Sequence, residues 1–166
     1  RGTGKTVIAG YPWFLDWGRD TLVVARGMMA AGMVEEVRDL VVTYAALEEN
    51  GTLPNTLRGN DATNRDTSDA PLWFGVVCGD LATAGLDLHQ LKAGARSVSE
   101  VLQSIATHYR HGTPNDIRMD AEIAAHLGEV LWVDGLEDQA REVWQRGRQS
   151  DPGNPVLQET LRKFDL

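Results

Sequence analysis

The stretch that decides the fold runs from residue 10 to residue 21 and reads GYPWFLDWGRDT. It places four aromatic side chains beside two carboxylates and one guanidinium group, so it is too polar for a core and too aromatic for an ordinary solvated loop. The residues that follow are typical of a helix, and Asp20 would lie at its N-terminus, where a negative charge is favourable. Aromatic faces can stack on the C–H face of a sugar ring, and the planar fork of Arg19 suits adjacent hydroxyls. The stretch therefore predicts a sugar-binding segment that leads into a helix.

Two helices joined by a short glycine turn are predicted next, the first over 20–31 and the second over 33–49. Apolar side chains recur at helical spacing in the second helix; they are Val34, Val37, Leu40, Val41, Tyr44 and Leu47. Its acidic side chains are expected mainly on the opposite face; they are Glu35, Glu36, Asp39 and Glu48. Gly27 inside the first helix suggests the close approach of a neighbouring helix. The short turn favours an antiparallel helical hairpin.

A long polar connection spans residues 50–68. Loops of this length inside a compact domain are usually functional or disordered. The side chains in and just after it that can hydrogen-bond sugar hydroxyls are Asn55, Arg58, Asp61, Arg65, Asp66 and Asp69. A substrate-side loop and a merely solvated loop are both open interpretations.

Two more helices are predicted beyond this loop. Asp69 precedes a helical stretch with a proline in its first turn, which makes it a candidate N-cap of a helix that ends near residue 85. Ser97 and Glu100 have the spacing of a capping box, which predicts a helix to about residue 111.

Four motifs in order carry a resemblance to a known family. They are GKTVIAGYPWFLDWGRDT at 4–21, ENGTLPN at 49–55, NRDTSDAPLWF at 64–74 and HGTPNDIRMD at 111–120. Over residues 1–120 the chain resembles the glucosidase domain of bacterial and archaeal glycogen-debranching enzymes, amylo-α-1,6-glucosidase, and its Trp-Gly-Arg-Asp is similar to the Trp-x-Arg-Asp of glucoamylases. In those families this motif lies at the mouth of an (α/α)6 toroid and binds the terminal glucose. The resemblance implies an all-α fold of antiparallel helical hairpins that form part of such a toroid.

The resemblance also implies a substrate, an α-glucan or malto-oligosaccharide. The candidate substrate-binding residues, with Asn55 taken from the polar loop, are Asp16, Trp17, Arg19, Asp20, Asn55, Asp66 and Asp69. Helix capping is an open alternative for Asp20 and Asp69.

Catalysis is where the chain departs from the family. The debranching glucosidase inverts, which requires a general acid and a base. In the family the acid lies in a later Thr-Trp-Met-Asp segment and the base lies nearer the C-terminus, and we expect neither segment in this chain. The interpretation is therefore an incomplete glucosidase segment that binds a terminal glucose, with no catalytic residue, metal or cofactor predicted and with turnover left open.

After Asp120 the sequence changes character, and residues 121–166 resemble one tetratricopeptide repeat. The signature places of that repeat are taken by Leu127, Gly128, Leu131, Ala140, Trp144, Gly147 and Pro152. Small residues would let two helices cross closely, while Leu131 and Trp144 fill the groove between them. A short capping helix is expected from Val156, Leu157, Leu161 and Phe164.

A lone repeat cannot bury its own faces, so this hairpin is expected to pack on the preceding helices or on another chain. We therefore predict two domains, a partial toroid over 1–120 and a tetratricopeptide-like hairpin with its capping helix over 121–166. The alternative function is a helical protein-interaction module without enzymatic activity, whose hairpin binds a protein partner or a second copy.

Two further ligand classes are not expected. Gly4, Lys5 and Thr6 match the end of a P-loop, but the chain offers neither the earlier glycine nor an uninterrupted helix after them. His108 and His111 lie three residues apart, but no third ligand has suitable spacing for a metal.

The net charge of −8 is divided evenly between 1–120 and 121–166, which argues against nucleic acid and against anionic membrane surfaces as partners. No apolar run approaches the roughly 20 residues of a membrane-spanning helix. The single Cys78 is expected to be a buried thiol in a reducing compartment, so a cytoplasmic protein is predicted. The chain shows neither a signal-peptide pattern nor an initiator Met, which fits a piece of a longer protein.

Overall fold

Helices form where apolar residues recur at helical spacing. The computed structural model describes residues 4–59, 61–117 and 120–165, and these residues form seven helices. The helices are α1 (Gly18–Ala30), α2 (Val34–Ala46), α3 (Ala70–Thr83), α4 (Val98–His111), α5 (Ala121–Val133), α6 (Glu137–Ser150) and α7 (Pro155–Lys163). The predicted all-α class is confirmed, and the toroid arrangement stays a prediction.

Two short antiparallel ladders, which the sequence patterns did not predict, link the loops. β1 (Asp16–Trp17) pairs with β2 (Thr56–Leu57), and β3 (Lys92–Ala93) pairs with β4 (Arg96–Ser97). The first ladder fixes the start of α1 at Gly18, two residues earlier than predicted. Asp20 nevertheless lies in the first turn of that helix, as expected.

The capping box of α4 is confirmed. Ser97 Oγ accepts a hydrogen bond from the backbone N–H of Glu100 at 3.2 Å, and Glu100 Oε2 accepts one from the backbone N–H of Ser97 at 2.6 Å. The apolar stripe predicted for α2 is confirmed too, since its central residues Val37, Leu40, Val41 and Tyr44 are buried. Cys78 is fully buried as expected, and burial raises the pKa of its thiol.

Two expectations about single residues are wrong. Gly27 meets no neighbouring helix, because a Cβ built there has no atom within 4 Å. Glu48 does not face solvent but is 3% exposed, because Arg96 and Ser104 reach its carboxylate from sequence-distant elements.

The hairpin of α5 and α6 packs on the preceding helices, which agrees with the expectation that it cannot stand alone. Glycines on α3 allow the contact: a Cβ at Gly75 would lie 2.1 Å from Cγ2 of Val130, and one at Gly79 would lie 3.2 Å from Cγ2 of Val133. α3 therefore lies between α1 on one side and α5 on the other, and the buried apolar side chains of all seven helices form one continuous core within the described residues.

Within the described part of the chain, no helix is long and apolar enough to cross a membrane.

Candidate functional site

The ladder of β1 and β2 joins the aromatic segment to the long polar loop. Asp16 pairs with Leu57 and Trp17 with Thr56, and the backbone N–H of Gly18 donates to the carbonyl of Asn55 at 2.9 Å. Only glycine fits at position 18, because a Cβ there would lie 2.4 Å from the carbonyl oxygen of Pro54. Two loops that are some 40 residues apart in sequence thus become one surface.

Trp17, Arg19 and Asp20 line an open groove of about 600 Å³, which is called the aromatic groove below. Phe14 and Val24 are among its apolar lining residues. The side chain of Trp17 is half-buried, whereas Arg19 and Asp20 are exposed. The groove therefore combines aromatic faces with a cation and an anion that solvent can reach.

Two further aromatic side chains of the same segment do not line the groove and are exposed. Tyr11 is 79% exposed and Trp13 is 85% exposed, which is unusual for large apolar side chains. Large exposed apolar side chains that are close in sequence can mark a site of interaction.

Arg19 is held at the groove by Asp69 at the start of α3. Its Nη1 lies 3.2 Å from Asp69 Oδ2, and Thr67 Oγ1 donates to the other carboxylate oxygen, Oδ1, at 2.9 Å. Asp69 occupies the N-cap position, yet its side chain accepts no hydrogen bond from the helix backbone. Capping is therefore wrong as the role of the Asp69 carboxylate, which instead orients Arg19. The side chain of Asp20 does not cap α1 either, because its N-cap residue is Trp17.

Asp16 lies apart from the other candidates on the aromatic segment. Successive side chains of a strand point to opposite faces, so Asp16 and Trp17 diverge. Asp16 accepts a hydrogen bond from the hydroxyl of Thr6 and lines a cavity of about 640 Å³ beside α2, together with Asp39 and Thr43. The structure therefore brings Trp17, Arg19, Asp20 and Asp69 together and leaves Asp16 on the other side of the ladder.

The remaining two candidates lie in the polar loop. Asn55 is half-buried, and its backbone bridges the site: its carbonyl accepts from Gly18, and its N–H donates to the carbonyl of Asn64 at 2.8 Å. Asp66 is exposed, and its N–H donates to the side chain of Asn64 at 3.1 Å. Neither residue lines the aromatic groove.

The polar loop is fixed by hydrogen bonds rather than loosely solvated. Arg65 donates to the carbonyls of Thr52 at 2.9 Å and Leu47 at 2.8 Å, so this candidate sugar ligand has a structural role. The hydroxyl of Tyr109 donates to the carbonyl of Ser68 at 2.5 Å. Nothing in the local sequence pattern indicated that Tyr109, on α4, anchors the residue before Asp69.

The surroundings of Lys5 and of the histidines bear on the nucleotide and metal sites considered above. Lys5 Nζ pairs with Asp39 at 2.7 Å, and no helix begins at Lys5 or Thr6, while Arg1, Gly2 and Thr3 lie outside the described residues. Among the described residues, no three His, Cys, Asp or Glu side chains are grouped so that they could hold a metal ion.

Comparison with known proteins identifies a family. The family model described as amylo-alpha-1,6-glucosidase matches residues 1–156. The matched range continues past Asp120 through most of the segment that resembled a tetratricopeptide repeat, and no comparison supports such a repeat. Among curated proteins and solved structures, none matches.

Proposed function

The chain belongs to the amylo-alpha-1,6-glucosidase family, and from that premise we propose that its aromatic groove binds the terminal glucose of an α-glucan. The observation that carries the proposal is the arrangement of Trp17, Arg19 and Asp20 along one groove, with Arg19 oriented by Asp69. A glucose ring offers an apolar C–H face and a rim of hydroxyls, and the groove offers a partner for each.

Each residue has a role that follows from its surroundings. Trp17 is half-buried and lines the groove, so its indole can stack on a sugar ring. Arg19 keeps 59% of its side chain exposed while one nitrogen faces Asp69, so its remaining N–H groups can donate to hydroxyls. Asp20 is exposed in the first turn of α1 and can accept hydrogen bonds from hydroxyls.

We propose that this segment binds glucose without cutting a glycosidic bond. An inverting glycosidase needs two carboxyls roughly 6.5–9.5 Å apart, and its acid needs a raised pKa. Asp134, the C-cap residue of α5, has a raised pKa, mainly because it is partly buried, and it accepts a hydrogen bond from the hydroxyl of Ser99 on α4. Asp120 lies at the other end of α5, about 20 Å away by helix rise, and lines the same cleft as Asp69. Asp134 is therefore far from Asp69.

The hairpin of α5 and α6 gives the alternative function less support. A working protein-interaction repeat needs a free face, whereas α5 packs on α3, α6 and α7. Self-association through 121–166 stays a prediction, and light scattering of the chain at increasing concentration would test it.

The proposal is tested by titrating the chain with maltose and following the binding by calorimetry or NMR. Arg19→Ala is expected to weaken binding roughly tenfold to a hundredfold, because a hydrogen bond from a charged group contributes about 1.5–3 kcal/mol. Arg26→Ala is the matched control: Arg26 also lies on α1 and pairs with an α3 carboxylate, Asp80, at 2.9 Å, but it does not line the groove. Equal affinity in both variants would refute the proposed function.

A further inference from the structure

The cavity of about 640 Å³ beside α2 lies apart from the aromatic groove and has an apolar wall. This cavity, called the α2 cavity below, is enclosed by the segment before β1, by β1, by α2 and by the polar loop. Its volume lies within the range of about 300–1,000 Å³ that is usual for small-molecule sites. The side chains of its apolar wall are Val42, Ala46, Leu47, Leu57 and Ala62. This wall suits the hydrocarbon part of a ligand.

One carboxylate at the α2 cavity lacks a cation. Within the described residues, Asp16 forms no ion pair, and its side chain accepts a hydrogen bond from the Thr6 hydroxyl alone, through Oδ2. Oδ1 of Asp16 therefore keeps its capacity to accept hydrogen bonds. Asp16 is half-buried, which weakens the screening of its charge by water and salt.

The other polar groups of the α2 cavity already have partners. Lys5 Nζ lies 2.7 Å from Asp39 Oδ2, and Arg38 Nη2 lies 2.7 Å from Asp39 Oδ1, so this second carboxylate is paired on both oxygens. Thr43 Oγ1 donates to the carbonyl of Asp39 at 2.8 Å and accepts from the backbone N–H of Lys5 at 2.9 Å. The negative charge of Asp16 is thus left for a ligand to compensate.

We propose that the α2 cavity binds a primary alkylamine, with its ammonium group on Asp16 and its hydrocarbon chain along the apolar wall. An ammonium group has three N–H donors, and Asp16 Oδ1 and the lone pairs of Thr6 Oγ1 can accept two of them. A quaternary ammonium group has no N–H donor and is normally recognised by aromatic faces, but none of the described residues that line the cavity is aromatic. The carboxylate of Asp16 disfavours an anion. This site is independent of the proposed function, because Asp16 lies on the other side of the ladder from the groove.

The test uses hexylamine as the probe, titrated into the full chain at neutral pH and followed by NMR. The backbone signals of Val42, Ala46 and Leu57 are expected to shift. Three related compounds each lack one feature: hexan-1-ol lacks the charge, ethylamine lacks most of the hydrocarbon chain, and hexyltrimethylammonium lacks the N–H donors. Each is expected to bind roughly tenfold more weakly than hexylamine or worse, because it loses either a charge-assisted hydrogen bond or the burial of several methylene groups.

Asp16→Asn is expected to raise the Kd for hexylamine roughly tenfold or more, because it removes the charge and keeps an oxygen that can accept from Thr6. Its matched control is Asp61→Asn. That variant makes the same change in an aspartate that accepts from the Thr63 hydroxyl at 2.7 Å and does not line the α2 cavity. The control is expected to leave the Kd for hexylamine unchanged.

A second variant, Ala46→Leu, tests the apolar wall. Ala46 is exposed at the end of α2, so a longer side chain can be accommodated there and would fill part of the cavity. It is expected to raise the Kd for hexylamine roughly threefold or more. Arg19→Ala is expected to leave that Kd unchanged, so this inference and the proposed function can fail separately.

Three results would overturn the inference. The first is no binding of hexylamine, or equal binding of hexylamine and hexan-1-ol. The second is an unchanged Kd for hexylamine in both Asp16→Asn and Ala46→Leu. The third is tighter binding of Nα-acetyl-lysinamide than of hexylamine, because the cavity would then fit the lysine side chain of a protein better than a free amine.

Discussion

Gly128→Ala is expected to lower the free energy of unfolding by about 3 kcal/mol, because a core that is already filled has no room for the added methyl group. A Cβ at Gly128 would lie 2.1 Å from Nε1 and 2.3 Å from Cε2 of Trp144. Trp144 is 1% exposed, and its Nε1 donates to the carbonyl of Ala125 at 3.1 Å. The indole would have to leave this position and its contacts with Trp132 and Phe164, whose ring centroids lie 5.6 Å and 5.2 Å away.

Gly27→Ala is the matched control, since it makes the same change inside α1 at a position with no atom within 4 Å. It is expected to stabilise the chain by up to about 1 kcal/mol, because alanine loses less backbone entropy in a helix than glycine does. Urea unfolding followed by circular dichroism measures both variants. An equal loss of stability in both variants would contradict the claim that Trp144 leaves no room for a side chain at position 128.

Glu48→Ala is expected to lower the free energy of unfolding by about 3 kcal/mol, because it removes a buried carboxylate that accepts three hydrogen bonds. Glu48 Oε1 accepts from the backbone N–H of Gly51 at 2.7 Å and from Ser104 Oγ at 2.8 Å, and Oε2 accepts from Arg96 Nη1 at 2.5 Å. Breaking a buried ion pair from one side typically costs about 3–5 kcal/mol, and the lower end applies here because 41% of the Arg96 side chain is exposed to water.

Glu49→Ala is the neighbouring control. The Glu49 side chain is 71% exposed and lies 3.3 Å from Arg65, so its loss is expected to cost at most about 1 kcal/mol. Thermal unfolding of the two variants provides the comparison. Similar melting temperatures would show that the buried carboxylate does not hold the start of the polar loop in place.

Local signals predicted the helices well but could not predict contacts between distant residues. The capping box at Ser97 set the start of α4 because both of its hydrogen bonds lie within one turn. The start of α1 was misplaced because it depends on pairing between Trp17 and Thr56, which no local pattern reports. The buried state of Glu48 likewise depends on Arg96, 48 residues further along the chain.

Glycine shows the same limit more sharply. Gly27 has no neighbouring atom near its Cβ position, whereas Gly18 lies against a backbone carbonyl and Gly75 lies against a valine side chain. No local sequence pattern distinguishes these three glycines. The need for glycine at position 75 becomes visible only in the packing of α3 against α5.

The candidate site was predicted in part. The motif around Arg19 indicated the aromatic groove, and its partner Asp69 was also among the candidates, although the ion pair between them was not foreseen. Asp16 was grouped with Trp17 because both belong to the motif that carries the family resemblance, yet the pleat of β1 sends their side chains to opposite faces.

A crystal structure of the chain soaked in maltose decides whether the aromatic groove is a glucose site. We predict a glucose ring stacked on Trp17, with hydroxyls within hydrogen-bond distance of Arg19 and Asp20. Sugar bound only elsewhere on the surface, with the groove filled by water and Arg19 paired to Asp69 alone, would contradict the proposal.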